Sequence, residues 1–482
     1  MGREEEIIKE REKKISELRK KGIDPYANKF DKKDSVSKTL KAKLGTKVKT
    51  AGRVMTKREI GKIVFSDLQD FSGKIQIVLQ GKETPAKDFD FFCKYIDIGD
   101  IIGIEGKIIK TKTGQHSILV KKPTLLTKSL LPLPSKWHGF QDKEEKYRKR
   151  YLDLIMNPQV KEVFKKKHIF WKSIRDFMEG EGFMEVETPV LENTPGGADA
   201  NPFITHHNAL DIDVYLRISM GELWQKRLMV AGYEKVFEIG RQFRNEGMGP
   251  EHLQDYSQME FYWAYANYKQ GMKLVEQMYK SVAKKVLGTL KFESHGFKID
   301  MGKKWGTYDY EKTIKKYTKV DIYSASEKEV KKKLKELKLE HDPILDKWKL
   351  IDILWKYCRK KLAGPGFLIN QPVEVSPLAK RKERDQKKVE RFQVIIAGSE
   401  VGNGYSELND PLDQEKRFEE QAKKREQGDK EAQMHDKEFV EALKYGMPPT
   451  CGFGVSERFF SFLVNKPIKD TILFPLMKPE GK

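Results

Sequence analysis

Residues 391–411 read RFQVIIAGSEVGNGYSELNDP, and this stretch decides the fold. Residues 394–397 form an apolar strand, followed by a turn built on Gly398, Gly402 and Gly404. Glu400, Asn403 and Glu407 then fall at spacings of three and four. Polar side chains at the end of a buried strand have no water to satisfy them, so such a group lines a ligand site. A polar turn bonded to its own backbone is the plainer alternative. Matching pieces elsewhere in the chain decide between the two.

The chain has 482 residues, enough for two to four domains with a large core. Apolar content of 38% excludes disorder as the general state. The 93 basic side chains against 72 acidic ones give a net charge of +21, which favours a polyanionic partner such as nucleic acid, or reflects a lysine-rich surface. Cys93, Cys358 and Cys451 are far apart, so neither a disulfide framework nor a metal-ligand spacing is present, and a reducing compartment fits. The start MGREEEIIKE carries no signal-peptide pattern, and no apolar run has the length of a membrane span.

Working outward, residues 4–21 read as a helix with acids at its start and bases at its end, matching the helix dipole. Five short strands follow, over residues 47–54, 63–68, 74–79, 101–110 and 117–121. They suit a closed oligonucleotide-binding barrel. Phe65 beside Arg53 and Arg58 offers such a barrel a stacking surface with positive charge. The segment Leu131-Pro132-Leu133-Pro134 is a stiff linker. A long helix starts at Asn157-Pro158 and leads into an edge strand ended by Thr188-Pro189. Residues 235–239 and 257–265 bracket a polar loop and read as a long antiparallel hairpin. The Lys/Glu-rich residues 320–350 form a helical surface insertion, and residues 380–390 form a charged loop.

Several chemistries are absent from the sequence: no phosphate-binding P-loop, no dinucleotide glycine fingerprint and no G-x-S-x-G elbow. His206 and His207 are adjacent, so on a strand they point to opposite faces and cannot share a metal. What remains are arginines, acids and glycines on strands. That inventory suits phosphoryl or nucleotidyl transfer, in which the protein positions reactants and neutralises charge. Arg244 and Arg458 can clamp a triphosphate, and nearby acids can hold magnesium.

FMEVETP (183–189), FRNE with its loop and MEFYWAY (243–265), and GFGVSERFFSFL (452–463) resemble the three signature motifs of class II aminoacyl-tRNA synthetases. RYLDLI, the block TPGGADANPFITHHNAL, PVEVSPLA and GNGYSELNDP narrow the resemblance to the lysyl-tRNA synthetase branch, over roughly residues 45–480. It implies an α+β chain: an N-terminal OB-fold barrel and a catalytic domain with an antiparallel sheet flanked by helices. The implied boundaries are a basic helix and lead-in over 1–44, the anticodon-binding barrel over 45–128, a linker over 129–149, and a catalytic domain over 150–482 with an insertion at about 310–365. The implied reaction is ATP-dependent activation of L-lysine to lysyl-adenylate, then transfer to tRNA(Lys). ATP is a substrate, Mg2+ a cofactor, the enzyme a cytoplasmic homodimer, and no membrane is involved.

Site roles implied by the resemblance are as follows. Arg244 and Arg458 are catalytic, on the α- and γ-phosphates. Glu246, His252 and Tyr256 complete the ATP site, Tyr256 stacking on adenine. Glu407, Tyr262 and Glu260 take the ε-ammonium of lysine; Glu222 and the Gly197 carbonyl take its α-amino group; Arg244 and Asn403 take its carboxylate. Glu400 binds magnesium. Arg58, Phe65 and Gln76 read the anticodon. The chain departs from the pattern at Gln393, where a second metal-binding Glu is usual, and at Gln115, where a barrel Glu is usual. It also departs in the wording of its second and third motifs. An aspartate or asparagine sibling would need a cationic clamp in place of Glu407, and none is visible in the sequence. A ligase that lysylates a protein factor would lack the barrel. A degenerate RNA-binding paralogue is the non-enzyme alternative.

Overall fold

The computed structural model describes residues 2–134, 142–247, 249, 253–342, 345–428 and 432–481. They form two compact units, residues 1–160 with 477–482, and residues 161–476.

In the first unit, β1 (Lys47–Ile60), β2 (Ile63–Gln69), β3 (Lys74–Gln80), β4 (Ile101–Lys110) and β5 (His116–Thr127) close into a barrel of order β1-β2-β3-β5-β4. Alternation explains the closure. Val64, Leu68, Ile75, Ile77 and Leu79 are buried in one cluster, while Phe65, Asp67 and Gln76 take the other parity. Two strands run well past the sequence pattern: β1 extends six residues past Val54 into the hairpin with β2, across a bulge between Val54 and Thr56, and β5 continues past Lys121 to Thr127. The N-terminal helix Arg3–Lys20 packs through Ile15 and Leu18. Its Arg11 is 6% exposed and donates to the carbonyls of Ile98, Ser129 and Leu131 at 2.8–3.0 Å. The first unit reaches past the expected boundary at residue 150, taking in the helix Arg150–Met156. Gln69 Nε2 donates to the Ile155 carbonyl there at 3.0 Å.

In the second unit the strands are β6 (Met184–Glu185), β7 (Leu191–Glu192), β8 (Ile204–His207), β9 (Ile212–Leu216), β10 (Lys235–Phe243), β11 (Asp255–Ala264), β12 (Lys291–Ser294), β13 (Phe297–Asp300), β14 (Gly306–Asp309), β15 (Gly366–Ile369), β16 (Arg391–Ile396), β17 (Ser399–Ser406) and β18 (Thr450–Ser456). Among the described residues, eight of them make one sheet of order β14-β15-β16-β17-β18-β11-β10-β6. It is antiparallel except at its two outer pairs. The expected hairpin is β10–β11, and the expected edge strand is β6.

One face of this sheet is dry. Met259, Phe261, Phe392, Val394, Val401, Phe453 and Val455 pack there with Val275, Met278, Tyr279 and Val282 of the helix Tyr268–Leu287. Truncating one such phenylalanine to alanine costs roughly 3–5 kcal/mol. The alternate residues of the same strands face the opposite side, where the sheet carries its polar groups.

The stretch 391–411 needs one correction. Gly398 does make the turn, with φ +73°, but Gly402 and Gly404 lie inside strand β17. Close packing requires them. A Cβ at Gly402 would sit 2.5 Å from both Phe453 Cζ and the Tyr279 hydroxyl, and one at Gly404 would sit 2.8 Å from Phe392 Cζ.

Candidate active site

Strand register assembles the site. On β11, Tyr256, Gln258, Glu260 and Tyr262 are two apart and share the face opposite the core. Glu260 lies opposite Gly454 of β18, which lies opposite Asn403 of β17, which lies opposite Gln393 of β16. One row across four strands is therefore Gln393–Asn403–Gly454–Glu260. The neighbouring row is Tyr405–Gly452–Tyr262. Glycine on the middle strand leaves room for larger groups on each side: a Cβ at Gly452 would overlap Glu407 Oε1 and lie 2.6 Å from Tyr262 Cε1. Spacing alone would put Glu400 and Asn403 on opposite faces. A bulge restores them to one face, because β17 has an extra residue where Gln393 and Ile395 pair with Asn403 and Glu400.

These residues line one cavity of about 370 Å³. Gly197, Glu222, Arg244, Tyr256, Glu260, Tyr262, Gln393, Glu400, Asn403, Glu407 and Arg458 all open onto it. Glu246 does not: it is half-buried on the loop between β10 and β11. His252 lies outside the described residues.

At one end the groups are cationic. Arg244 holds its Nε against the Ile218 carbonyl at 3.3 Å, with its guanidinium carbon 5.7 Å from the centre of the Tyr256 ring. Burial lowers the Arg458 pKa to about 10, which leaves it charged at neutral pH. Asn403 is oriented by Arg391, whose Nε donates to Asn403 Oδ1 at 2.8 Å and so leaves the amide nitrogen as the open donor. Glu400 accepts from Trp355 Nε1 at 2.5 Å and from Gln393 Nε2 at 3.0 Å. Among the described residues no group of three or more His, Cys, Asp or Glu side chains is arranged to hold a metal ion.

The other end collects carboxylates. Glu260 accepts from the Met220 backbone (3.0 Å), Gln258 Nε2 (2.6 Å) and the Tyr262 hydroxyl (3.1 Å). Burial, with Glu222 adding to it, raises its pKa to about 7 despite these donors. Glu407 is 1% exposed, and burial pushes its pKa up to about 8. Among the described residues its one close cation is Lys226, whose Nζ lies 2.6 Å from Oε2.

Lys226 is absent from the expectations, as are Arg391, Tyr405 and Gln258. Lys226 stands beside Glu407 and not in its place, so it is not the cationic clamp that an aspartate or asparagine sibling would need. Lys226 is 1% exposed and also meets Glu222 Oε1 at 2.7 Å. Burial opposes its charge, but Glu222 and Glu407 outweigh burial and raise its pKa. The shifts of the two partners pull opposite ways, Lys226 toward charge and Glu407 toward neutrality. The 2.6 Å contact favours the ionised pair, since protonating Glu407 would strip a buried ammonium of one of its two counter-ions. The signal for Lys226 was in the sequence: it sits four residues after Glu222 on the helix Glu222–Val230, the favourable order for an acid–base pair.

In the barrel unit the outer face of β1, β2 and β3 gathers a second set. Arg58 pairs with Phe65 across β1–β2, its guanidinium carbon 5.6 Å from the ring centre. Gln76 lies opposite Asp67, two residues on from Phe65, so all share a face. Ser117 Oγ donates to Gln76 Oε1 at 2.9 Å. Gln115 lies on the turn before β5, bonded to Thr111.

Comparison with known proteins identifies both kinds of domain. Residues 48–126 match the family model of the OB-fold nucleic acid binding domain, and residues 142–478 match that of the class II tRNA synthetases for D, K and N. The chain is thus a class II aminoacyl-tRNA synthetase. Among its relatives, lysine–tRNA ligases of Pelotomaculum thermopropionicum, Thermoanaerobacter sp. (strain X514) and Thermotoga maritima are 44%, 46% and 44% identical to it. They align with 98–99% of this chain and 96–97% of their own lengths. It belongs to the lysine–tRNA ligase family.

Proposed function

We propose that the cavity activates L-lysine with ATP and passes the lysyl group to tRNA(Lys). The observation that carries this is the excess of buried carboxylate facing the cavity: Glu222, Glu260 and Glu407 stand against the single ammonium of Lys226 among the described residues. Such a group calls for a cation, and lysine brings two ammonium groups. The ε-ammonium takes Glu407 with Tyr262 and Glu260. The α-amino group takes Glu222 and the Gly197 carbonyl. Arg244 and the open amide of Asn403 hold the carboxylate. A cationic amino acid fits this end and an aspartate does not, because the cation present, Lys226, is already held by two carboxylates.

One lysine carboxylate oxygen attacks the α-phosphorus of ATP, and the bond to the β-phosphate oxygen breaks to release pyrophosphate. The terminal ribose hydroxyl of tRNA then attacks the lysyl carbonyl, and AMP leaves. Arg244 bears on the α-phosphate, Arg458 on the γ-phosphate, and the Tyr256 ring on adenine. Glu246 and His252 are assigned to the ATP loop. The residues fit magnesium: Glu400 keeps lone pairs beyond its two donors, and Gln393 offers an amide oxygen, the rest of the shell being phosphate and water. The metal would neutralise phosphate charge, and one strong carboxylate fits fewer ions than two.

Arg58, Phe65 and Gln76 read the anticodon by stacking and hydrogen bonds to splayed bases. The functional divisions are a lead-in over 1–44, the anticodon-binding barrel over 45–128, a linker over 129–149 and the catalytic domain over 150–482. A homodimer would cover the apolar side chains exposed on the short strands, Met184, Leu191 and Ile204. No helix among the described residues is long and apolar enough to cross a membrane. The cytoplasm, where tRNA, ATP and lysine meet, is the compartment this reaction calls for. ATP–pyrophosphate exchange across the amino acids, with and without tRNA, tests the reading. Exchange with lysine supports it; exchange with aspartate selects a sibling activity, and none at all selects a non-catalytic role.

A further inference from the structure

Three carboxylates and one ammonium meet at the side-chain end of the cavity, and the ammonium belongs to the protein. Lys226 rises from the helix Glu222–Val230 into a cage of rings, with its Nζ 6.0 Å from the centre of Tyr262, 5.5 Å from Tyr405 and 5.8 Å from Phe439. Its nitrogen contacts Glu222 Oε1 at 2.7 Å and Glu407 Oε2 at 2.6 Å. Tyr405 also donates to Glu222 Oε1. These two carboxylates come from a helix and from the chain just after β17, elements far apart in sequence. One ammonium nitrogen ties them together.

We propose that Lys226 is the built-in counter-ion of the amino-acid site: it sets the positions and the charge of Glu222 and Glu407 before substrate arrives, and so tunes the site to a dication. This rests on reading the cavity as the lysine-binding site.

The charge count supports it. With Lys226 charged and bound lysine holding Glu222, Glu260 and Glu407 in their ionised forms, these groups sum to minus two, the complement of the two ammonium groups of lysine. Without Lys226 the same carboxylates would sum to minus three in a dry space. Like charges so close do not all stay ionised, and one would take up a proton. The proton would neutralise a carboxylate that the substrate needs. The groups facing Lys226 are Glu222 from its own helix, Glu407 and Tyr405 from β17 and the residues after it, and Glu260 and Tyr262 from β11. Cys451 of β18 lies beneath Glu407. Phe439, on the helix Lys437–Lys444, adds no charge. Lys226 is a positioning residue, since it acts on lysine through the two carboxylates.

The test is lysine-dependent ATP–pyrophosphate exchange as a function of pH in Lys226→Met and Lys226→Ala. For Lys226→Met, whose fold is checked by circular dichroism, the expected KM for lysine rises on the order of 30-fold or more while the KM for ATP stays within about twofold. The acid limb of kcat/KM for lysine moves up by about one pH unit, because Glu407 loses a neighbouring cation. In Lys226→Ala the missing atoms correspond to a propylammonium ion, and added n-propylammonium restores exchange while n-propanol does not. An unchanged lysine KM and acid limb in folded Lys226→Met overturns the proposal. So does a parallel rise of both KM values with no rescue by n-propylammonium. If the neutral variants do not fold, Lys226→Arg is expected to keep lysine-dependent exchange and the wild-type acid limb; a folded Arg variant that has lost both overturns it. Absence of lysine-dependent exchange in the wild-type enzyme would instead refute the substrate reading itself.

Discussion

Replacing Glu407 with glutamine removes one charge and almost no volume, so it isolates the electrostatic contribution of the site. Breaking a buried ion pair by removing one partner costs about 3–5 kcal/mol. Here three features reduce that figure. The ε-ammonium of lysine keeps Glu260 and Tyr262, Lys226 keeps Glu222, and the repulsion among three neighbouring carboxylates is relieved. The net expectation is about 2–4 kcal/mol, or ~10²–10³-fold in kcat/KM for lysine. The assay is lysine-dependent ATP–pyrophosphate exchange with saturating ATP, and a thermal melt shows that Glu407→Gln is folded. The loss should fall on the lysine KM and leave the ATP KM nearly unchanged, because Arg244, Tyr256 and Arg458 do not touch residue 407. Exchange within about threefold of wild type would refute the assignment of Glu407.

Three further outcomes follow from the geometry. Burial holds Glu260 near pKa 7 in the free protein. A bound dication favours its ionised form, so kcat/KM for lysine should climb between about pH 6 and 8 and level off above, while the KM for ATP stays flat; a flat lysine profile would contradict this. Phe65→Ala should weaken tRNA charging about tenfold or more while leaving adenylate formation intact, since stacking of one base contributes ~1–3 kcal/mol; equal losses in both assays would mean a folding role. Gln393→Glu supplies a second carboxylate beside Glu400 and should lower, several-fold, the Mg2+ concentration giving half-maximal exchange; a raised requirement would show that two adjacent acids repel rather than share a metal.

Much of the architecture was legible where one physical rule dominates. The barrel strands alternate, so Ile75, Ile77 and Leu79 announce an inside while Phe65 and Gln76 announce an outside. The hairpin of β10 and β11 was equally plain, although it runs further into its loop than apolar residues alone suggest. In sequence the glycines at 402 and 404 read as a turn, but their reason is three-dimensional: rings of Phe392, Phe453 and Tyr279 occupy the space a side chain would need. The bulge that turns Glu400 toward the cavity was invisible for the same reason. Lys226 was legible as the i+4 partner of Glu222 but not as a neighbour of Glu407, which requires knowing that the helix Glu222–Val230 packs over β11. Arg391 stood in the quoted stretch, and only the structure gives it Asn403 to orient.

The account stands on a charge match between a carboxylate-lined cavity and an amino acid bearing two ammonium groups. Its most direct measurement is calorimetric titration of the wild-type enzyme, with a non-hydrolysable ATP analogue present, using L-lysine and then L-norleucine, which has a methyl in place of the ammoniomethyl group and so lacks the second charge. Lysine should bind at least ~100-fold more tightly, and its binding near pH 7 should release protons. Equal affinity for the two amino acids, with no proton release, would contradict the account.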